Sequence, residues 1–318
     1  MLPSASQSSQ RHRPDIILLI LDTQRANRLS CYGCPVETSP HLDALAAESV
    51  RFARAVAPAQ WTIPSHASMF TGLYPSQHTM VYMESTLPTT WPTLAERLQS
   101  GGYFTAGFSN NPLVGVANNG LSRGFASFSD YGGLLTMQPG SPRPDLARNL
   151  KDTAWRAWVR QKLAHLMRRV QHCAASPQVS TFMSAPAILR LWQAALRIRG
   201  NLKGNTAQSL ADAARLLIER RRVAPAQPIF VFINLMGTHV PYAPPGWAVE
   251  RCAPHLLHNR LTDAVLRRIN VMRGDANDWL GPDLFSPEEK NALDGIYNAE
   301  VAAQDRQVGL FLERLRTA

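Results

Sequence analysis

The sequence predicts an α/β fold in which a mixed, mostly parallel sheet carries helices on both faces. Short apolar runs alternate with helical patterns along the chain, and strands separated by helices usually lie parallel to one another. The first run, residues 15–21, is rich in Ile and Leu and follows Pro14, as expected of a buried parallel strand. With 318 residues, 45% of them hydrophobic, the chain has material for a large core in one domain with an insertion.

The later elements are predicted from the same patterns, in chain order. After the first strand we expect a helix at 40–49, a short strand at 50–56, a helix from Pro64 to Thr71, a helix at 92–100, a strand at 103–109, a helix at 207–222, a strand at 228–235 and a helix at 287–316. Pro64 suits the first position of its helix, and Gly72 suits its end. The stretch 243–286 carries Pro, Trp and scattered charge, and we expect it to run over the site without an assigned role.

Two side chains at the ends of these elements have useful chemistry. Thr62 lies just ahead of the helix predicted from Pro64, where the dipole and free N–H groups favour negative charge. A hydroxyl held there by a metal can ionise and act as a nucleophile. Asp22 ends the first strand, at the edge where open α/β sheets bind ligands. The plain alternatives are an ordinary loop-to-helix junction and a solvated carboxylate.

Several ordered blocks of the sequence resemble the sulfatase branch of the alkaline phosphatase superfamily. They cover most of residues 14–135 and again 207–316. The blocks are Leu21-Asp22-Thr23-Gln24-Arg25, Cys31-Tyr32-Gly33, Thr38-Ser39-Pro40-His41-Leu42-Asp43, Trp61-Thr62-Ile63-Pro64-Ser65-His66, Gly72-Leu73-Tyr74-Pro75, Leu94-Ala95-Glu96-Arg97-Leu98, Arg123-Gly124-Phe125 and Thr238-His239-Val240-Pro241-Tyr242. The resemblance implies a catalytic domain over residues 14–318, preceded by a flexible tail at 1–13.

The same resemblance assigns roles to two residues. Asp22 falls on the position of a metal ligand, and Thr62 falls on the position of the nucleophile, which also binds the metal. Sulfatases proper convert a Cys or Ser there into formylglycine, which a threonine cannot form. Thr62 is instead similar to the nucleophile of phosphoglycerol and phosphoethanolamine transferases. The resemblance thus implies a metal-dependent hydrolase or transferase of sulfate or phosphate esters, with Ca, Mn or Mg as the divalent metal.

Further site residues are expected from the resemblance. His239 looks like the family histidine that contacts the ester oxygens or protonates the leaving group. His66 replaces the arginine of the nucleophile motif, and residues 109–112 replace a Gly-Lys-Trp-His block. We therefore expect His66, His78 and Asn110 to bind substrate. Packing or helix capping is the alternative for the histidines.

The family pattern runs down the last predicted helix to Ala318. In relatives a strand and an Asp-His-Gly motif follow, and that Asp and His bind metal. With Asp22 and Thr62 alone, a metal would keep mostly water ligands. The expectation is therefore a fragment of a longer enzyme or a truncated reading frame, with the C-terminal part of the fold missing. A non-catalytic remnant that binds an anionic membrane or another polyanion is the alternative function.

The basic charge is concentrated in a predicted helical insertion, residues 141–205. Residues 143–203 hold twelve Lys and Arg against two Asp and Glu, while the rest of the chain holds 21 of each, so this segment carries the net charge of +10. Three interpretations stay open: a lid packed on the core, an amphipathic hairpin at 146–198 on anionic lipid, and polyanion binding. No nucleic-acid motif accompanies the charge, which disfavours nucleic acid as a partner. A small-molecule or lipid-headgroup ester is the expected substrate.

Nothing in the sequence indicates export. No run of about 18 apolar residues predicts a membrane-spanning helix, and residues 1–13 lack an apolar signal core. The four cysteines form no disulfide framework, which suits a reducing compartment. We expect a cytoplasmic protein, or one bound peripherally at a membrane.

Overall fold

The computed structural model describes residues 13–115, 117–131, 203–271 and 284–318. Its centre is a parallel sheet of four strands: β1 (Ile16–Leu21), β2 (Phe104–Ser109), β3 (Ser127–Asp130) and β4 (Ile229–Leu235). The order across the sheet is β1-β4-β2-β3. β4 pairs with β1 from Ile16↔Phe230 to Leu21↔Leu235, and with β2 from Phe104↔Ile229 to Ser109↔Asn234. All four strands therefore end at the same edge of the sheet.

Eight α-helices surround this sheet in the described ranges. They are α1 (Pro40–Ala47), α2 (Thr62–Thr71), α3 (Pro75–His78), α4 (Leu94–Ser100), α5 (Thr206–Val223), α6 (Gly246–Cys252), α7 (Arg260–Val271) and α8 (Pro287–Arg316). Short 3-10 helices lie at Ala26–Arg28, Ser30–Tyr32 and Pro254–Leu256. Within these ranges, no helix has the length and apolar character needed to cross a bilayer.

Alternate residues of β4 supply the two faces of the sheet, since side chains of a strand point to opposite sides in turn. Ile229, Val231 and Ile233 join a core with α5 and α8. Phe230 and Phe232 join a second core with α2 and α4. Every residue of β4 is buried. The predicted α/β class, with helices on both faces, is confirmed.

The long helix α8 is fixed at its start and along its length. Ser286 caps its first turn by accepting from the Glu289 N–H at 3.2 Å, while the Ser286 N–H donates to the Glu289 carboxylate at 2.8 Å. Further along, the Asp305 carboxylate accepts from the backbone N–H groups of His41 and Leu42 at 3.1 and 2.8 Å. Asp305 thereby satisfies free amides at the start of α1 and joins the two helices.

The structure corrects several element predictions. No strand forms at 50–56. This segment pairs with none of the four strands, and Val50, Phe52 and Val56 are 71–89% exposed. Helix α2 begins at Thr62, so Pro64 is its third residue. β3 is a four-residue strand that is too short to give a pattern, and the excursion at 243–286 contains α6 and α7.

Two expectations about the organisation of the chain fall outside the described residues almost entirely. These are the flexible tail at 1–13 and the basic insertion at 141–205, with its proposed membrane contact at 146–198. Both stay predictions from the sequence.

Candidate active site

One asparagine side chain brings the two main predicted residues together. The Asn111 Nδ2 group donates to Asp22 Oδ2 at 2.8 Å and to Thr62 Oγ1 at 3.1 Å. Asp22 follows β1, Asn111 follows β2, and Thr62 opens α2, so three elements converge at the carboxyl edge of the sheet. A carboxylate and a hydroxyl thus lie within hydrogen-bond distance of the same nitrogen.

Asn111 was not among the residues predicted for the site. Its side chain is buried, and its Oδ1 accepts from the Leu113 N–H at 3.0 Å, which fixes the amide with its NH₂ group toward Asp22. Asn110, the predicted residue, points the other way and donates to Thr206 Oγ1 of α5 at 3.3 Å. The alternation of side chains beyond β2 explains the difference, because neighbouring residues there face opposite sides of the sheet.

The backbone around Asp22 is held on both sides. Its N–H donates to the Leu235 carbonyl at the end of β4 at 2.8 Å, and its carbonyl accepts from Thr238 Oγ1 at 2.7 Å. The next residue, Thr23, has a φ of 57°, and its carbonyl accepts from the Tyr297 hydroxyl at 2.6 Å. The position of the carboxylate is therefore set by β4, the following loop and α8.

Thr62 occupies the first position of α2, with Trp61 as the N-cap. The first N–H groups of a helix have no acceptor within it, so this end favours an anion or a developing alkoxide. Gly72 ends the helix at a φ of 76°, as predicted. The structure therefore gives the Thr62 hydroxyl a neighbouring carboxylate, a donor amide and a positive helix end.

His66 lies behind Thr62, inside the core. The ring is 3% exposed and packs edge-on against Phe70 and Phe232. Nδ1 lies 2.9 Å from the Thr62 carbonyl and Nε2 lies 3.0 Å from Asn234 Nδ2, and a neutral ring protonated on Nδ1 satisfies both contacts. Burial lowers the pKa of His66, which keeps the ring neutral. Its nitrogens therefore face protein groups.

His78 is also an internal residue. It is fully buried, its Nδ1 accepts from the Met80 N–H at 3.0 Å, and its Nε2 lies 2.9 Å from Ser68 Oγ. Burial lowers the pKa of His78 as well. The structure thus buries the side chains of His66, His78 and Asn110, and a substrate-binding role for these three residues stays a prediction.

His239 lies in the loop after β4, which we call the histidine loop and define as residues 237–243. The ring is partly exposed, and its Nδ1 lies 2.6 Å from the Val240 carbonyl. With Nδ1 engaged there, Nε2 is the ring atom that remains for a substrate. The neighbouring Thr238 hydroxyl donates to the Asp22 backbone carbonyl, so the loop starts beside the backbone of Asp22.

The oxygen donors of the site suit a hard divalent cation in type. Asp22 and Thr62 offer a carboxylate and a hydroxyl, which Mg, Ca and Mn prefer as ligands. In the part of the chain that the structure describes, no group of three or more His, Cys, Asp and Glu side chains could hold a metal. Asp22 and Thr62 would therefore supply at most two ligands of a coordination shell.

Comparisons with known proteins give similarity over most of the chain. The family model "Sulfatase" matches residues 14–317. Human arylsulfatase H is 33% identical over 171 residues, which are 45% of this chain and 29% of arylsulfatase H. The chain thus covers less than a third of that relative.

Two solved structures share the fold. Phosphonate monoester hydrolase of Agrobacterium radiobacter has a TM-score of 0.57 and 21% identity, over 96% of this chain and 60% of that one. The C-terminal periplasmic domain of EcEptC from Escherichia coli, in complex with Zn, has a TM-score of 0.51 and 16% identity, over 98% and 62% of the two chains. The match of the family model over residues 14–317 identifies the chain as a member of the sulfatase family.

Proposed function

We propose that this chain provides the nucleophile side of an active site that breaks sulfate or phosphate esters, with Thr62 as the nucleophile. The observation that carries the proposal is the double contact of Asn111 Nδ2 with Asp22 and Thr62, at the carboxyl edge of the sheet and the start of a helix. Membership of the sulfatase family and the ester hydrolases among its relatives support the same reaction class.

The proposed chemistry has two steps. Thr62 Oγ attacks the phosphorus or sulfur atom and forms a new ester bond, while the bond to the leaving oxygen breaks and that oxygen takes the electron pair. The hydroxyl proton passes to solvent, and His239 gives a proton to the leaving oxygen from Nε2. Water then attacks the Thr62 ester in a hydrolase, or an acceptor alcohol attacks it in a transferase. The bond between Thr62 Oγ and the phosphorus or sulfur atom breaks, Thr62 Oγ takes up the proton that the attacking water or alcohol loses, and His239 regains its proton from solvent.

Each described group has a separate task in this scheme. The amide of Asn111 orients the Thr62 hydroxyl and the Asp22 carboxylate relative to each other, which reduces the freedom lost at the transition state. The start of α2 favours the negative charge that develops on Thr62 Oγ and on the ester oxygens. His66 donates to the Thr62 carbonyl and so fixes the first turn from behind.

Asp22 and Thr62 would hold a divalent metal. Such an ion would lower the pKa of the hydroxyl and neutralise charge on the ester. Ca, Mn and Mg suit the oxygen ligands, and the Zn complex of the EcEptC domain adds Zn to the ions worth testing. The proposed substrate is a sulfate or phosphate ester of a small molecule or a lipid headgroup.

The test combines turnover with detection of the threonine ester. The protein, as its own cells produce it, is assayed with p-nitrophenyl sulfate, p-nitrophenyl phosphate and bis(p-nitrophenyl) phosphate, with each of the four ions in turn. The reaction is then quenched with acid, and the tryptic peptide that contains Thr62 is analysed by mass spectrometry.

We expect metal-stimulated release of nitrophenol from at least one ester, and one phosphoryl or sulfuryl group on Thr62. Turnover that leaves the group on another residue would reject Thr62 as the nucleophile. Absence of turnover with all esters and ions would reject the enzyme function, and the expectation of a non-catalytic remnant would replace it.

A further inference from the structure

The histidine loop is held at both ends by buried side chains that lie outside the proposed site. At its start, the Gly237 carbonyl accepts from Lys203 Nζ at 2.8 Å, and the Gly237 N–H donates to Gln304 Oε1 at 2.8 Å. At its end, the Ala243 N–H donates to Glu300 Oε1 at 2.6 Å. Lys203 and Glu300 themselves form an ion pair of 2.6 Å.

These contacts come from two distant parts of the chain. Glu300 and Gln304 lie one turn apart on α8, so they present neighbouring groups to the loop. Lys203 lies just before α5 and is 97 residues from Glu300 in sequence. Lys203 binds the start of the seven-residue loop and Glu300 binds its end, so the ion pair between them links the two ends.

The pair is costly to separate because Glu300 is buried and Lys203 is largely buried. The Lys203 and Glu300 side chains are 14% and 7% exposed. Burial lowers the pKa of Lys203 and raises the pKa of Glu300, and the charge of each partner opposes that shift. Loss of either partner would leave an unpaired buried charge, so a single substitution would disturb the fold as well as the loop.

The geometry points to Lys203 and Glu300 as positioning residues that hold the histidine loop and thereby orient His239 beside Asp22. This inference rests on the proposed function, because His239 is taken there to protonate the leaving oxygen. Thr238, between the held Gly237 and His239, bonds to the Asp22 carbonyl at 2.7 Å. A shift at either end of the loop would consequently move the histidine relative to the carboxylate.

Two double variants separate positioning from general stability. Lys203→Met with Glu300→Leu removes the pair and the acceptor for the Ala243 N–H, and leaves no unpaired buried charge. Lys203→Met with Glu300→Gln removes the pair but keeps an amide oxygen for that N–H. Glu313→Gln, on the exposed face of the same helix, is the matched control.

The first measurement is hydrogen exchange of peptides that cover residues 236–245, which needs no activity. We expect exchange there to increase at least about tenfold in the Leu variant, because a lost amide hydrogen bond exposes the N–H to water. The Gln variant should recover protection near Ala243, and the control should match the wild type. Unchanged exchange in the Leu variant would overturn the inference.

The second measurement is kcat for esters with good and poor leaving groups. A misplaced proton donor matters most when the leaving oxygen is basic, so we expect the Leu variant to lose about tenfold or more with alkyl esters and less with nitrophenyl esters. An equal loss for both kinds of ester would overturn the positioning role. If the wild type turns over no ester, the proposed function fails, and exchange alone decides whether the pair holds the loop.

Discussion

Asp22 and Thr62 are held by a side chain that belongs to the site, whereas His239 is held by side chains that lie outside it. On the first side, the Asn111 amide contacts the Asp22 carboxylate and the Thr62 hydroxyl directly. On the second side, Lys203 and Glu300 act through the backbone of the histidine loop. The difference indicates that a substitution of Asn111 should change the reaction rate directly. A substitution of Lys203 or Glu300 should change the rate only as far as it moves the histidine loop.

The largest effect is expected for Thr62→Ala. Loss of the nucleophile should lower kcat by about a thousandfold or more while the protein stays folded. Thr71→Ala is the matched control, because Thr71 lies in the same helix and its hydroxyl contacts backbone groups of that helix end, the Ala67 carbonyl at 2.6 Å and the Leu73 N–H at 3.3 Å. Turnover that survives in Thr62→Ala, or falls equally in both variants, would contradict the assignment.

His239→Gln tests the loop side of the comparison. Removal of a general acid typically costs about a hundredfold or more. The loss should be greatest for esters with basic leaving groups. His255→Gln, an exposed histidine near α6, serves as the control. Equal kcat for the two variants would remove His239 from the reaction.

Asn111→Ala tests the contact that joins Asp22 to Thr62. A hydrogen bond to a charged group contributes about 1.5–3 kcal/mol, so we expect kcat/KM to fall by roughly 10- to 100-fold. Asn110→Ala removes the same amide one position away, where it contacts α5. Its kcat/KM should stay within about twofold per folded molecule. A larger loss of kcat/KM in Asn110→Ala than in Asn111→Ala would show that Asn110, and not Asn111, contributes to the reaction.

The smallest effect concerns stability at low pH. Burial lowers the pKa of His66 in the folded protein, so below about pH 6.5 the unfolded chain binds more protons than the folded one. The contribution of His66 to the free energy of unfolding is therefore fully present above this pH. It falls by at most about 1.4 kcal/mol per pH unit as the pH drops toward the lowered pKa. His78 contributes in the same direction.

Urea unfolding at pH 7.5 and 5.5 measures this effect. The free energy of unfolding of the wild type should be lower at pH 5.5. His66→Gln should reduce the difference between the two pH values, whereas His255→Gln should leave it unchanged. The same pH dependence in His66→Gln as in the wild type would show that the His66 ring does not affect stability in this range.

Strong local patterns explain what the sequence could predict. β1, β4 and α8 were predicted to within a residue or two, since each combines a clear apolar pattern with a proline or a cap. Asp22 and Thr62 could be paired because both lie at the ends of such elements. The start of α2 is determined less well, since the helix begins two residues before the predicted Pro64.

The remaining parts of the site depend on packing that local patterns do not encode. The choice between Asn110 and Asn111 depends on which face of the sheet α5 covers. The burial of His66 depends on its packing against Phe232, 166 positions further along the chain. The contacts of Lys203 and Glu300 also join distant segments, so no sequence window contains both partners.

Thr23 has a further consequence for protein engineering. A β-branched residue at a φ of 57° costs about 1–2 kcal/mol relative to an ordinary backbone conformation. Asparagine accepts this left-handed conformation more readily and carries no charge. Thr23→Asn is therefore a rational first substitution for a thermostable version of the protein, since it would raise the melting temperature and leave the charges around Asp22 unaltered.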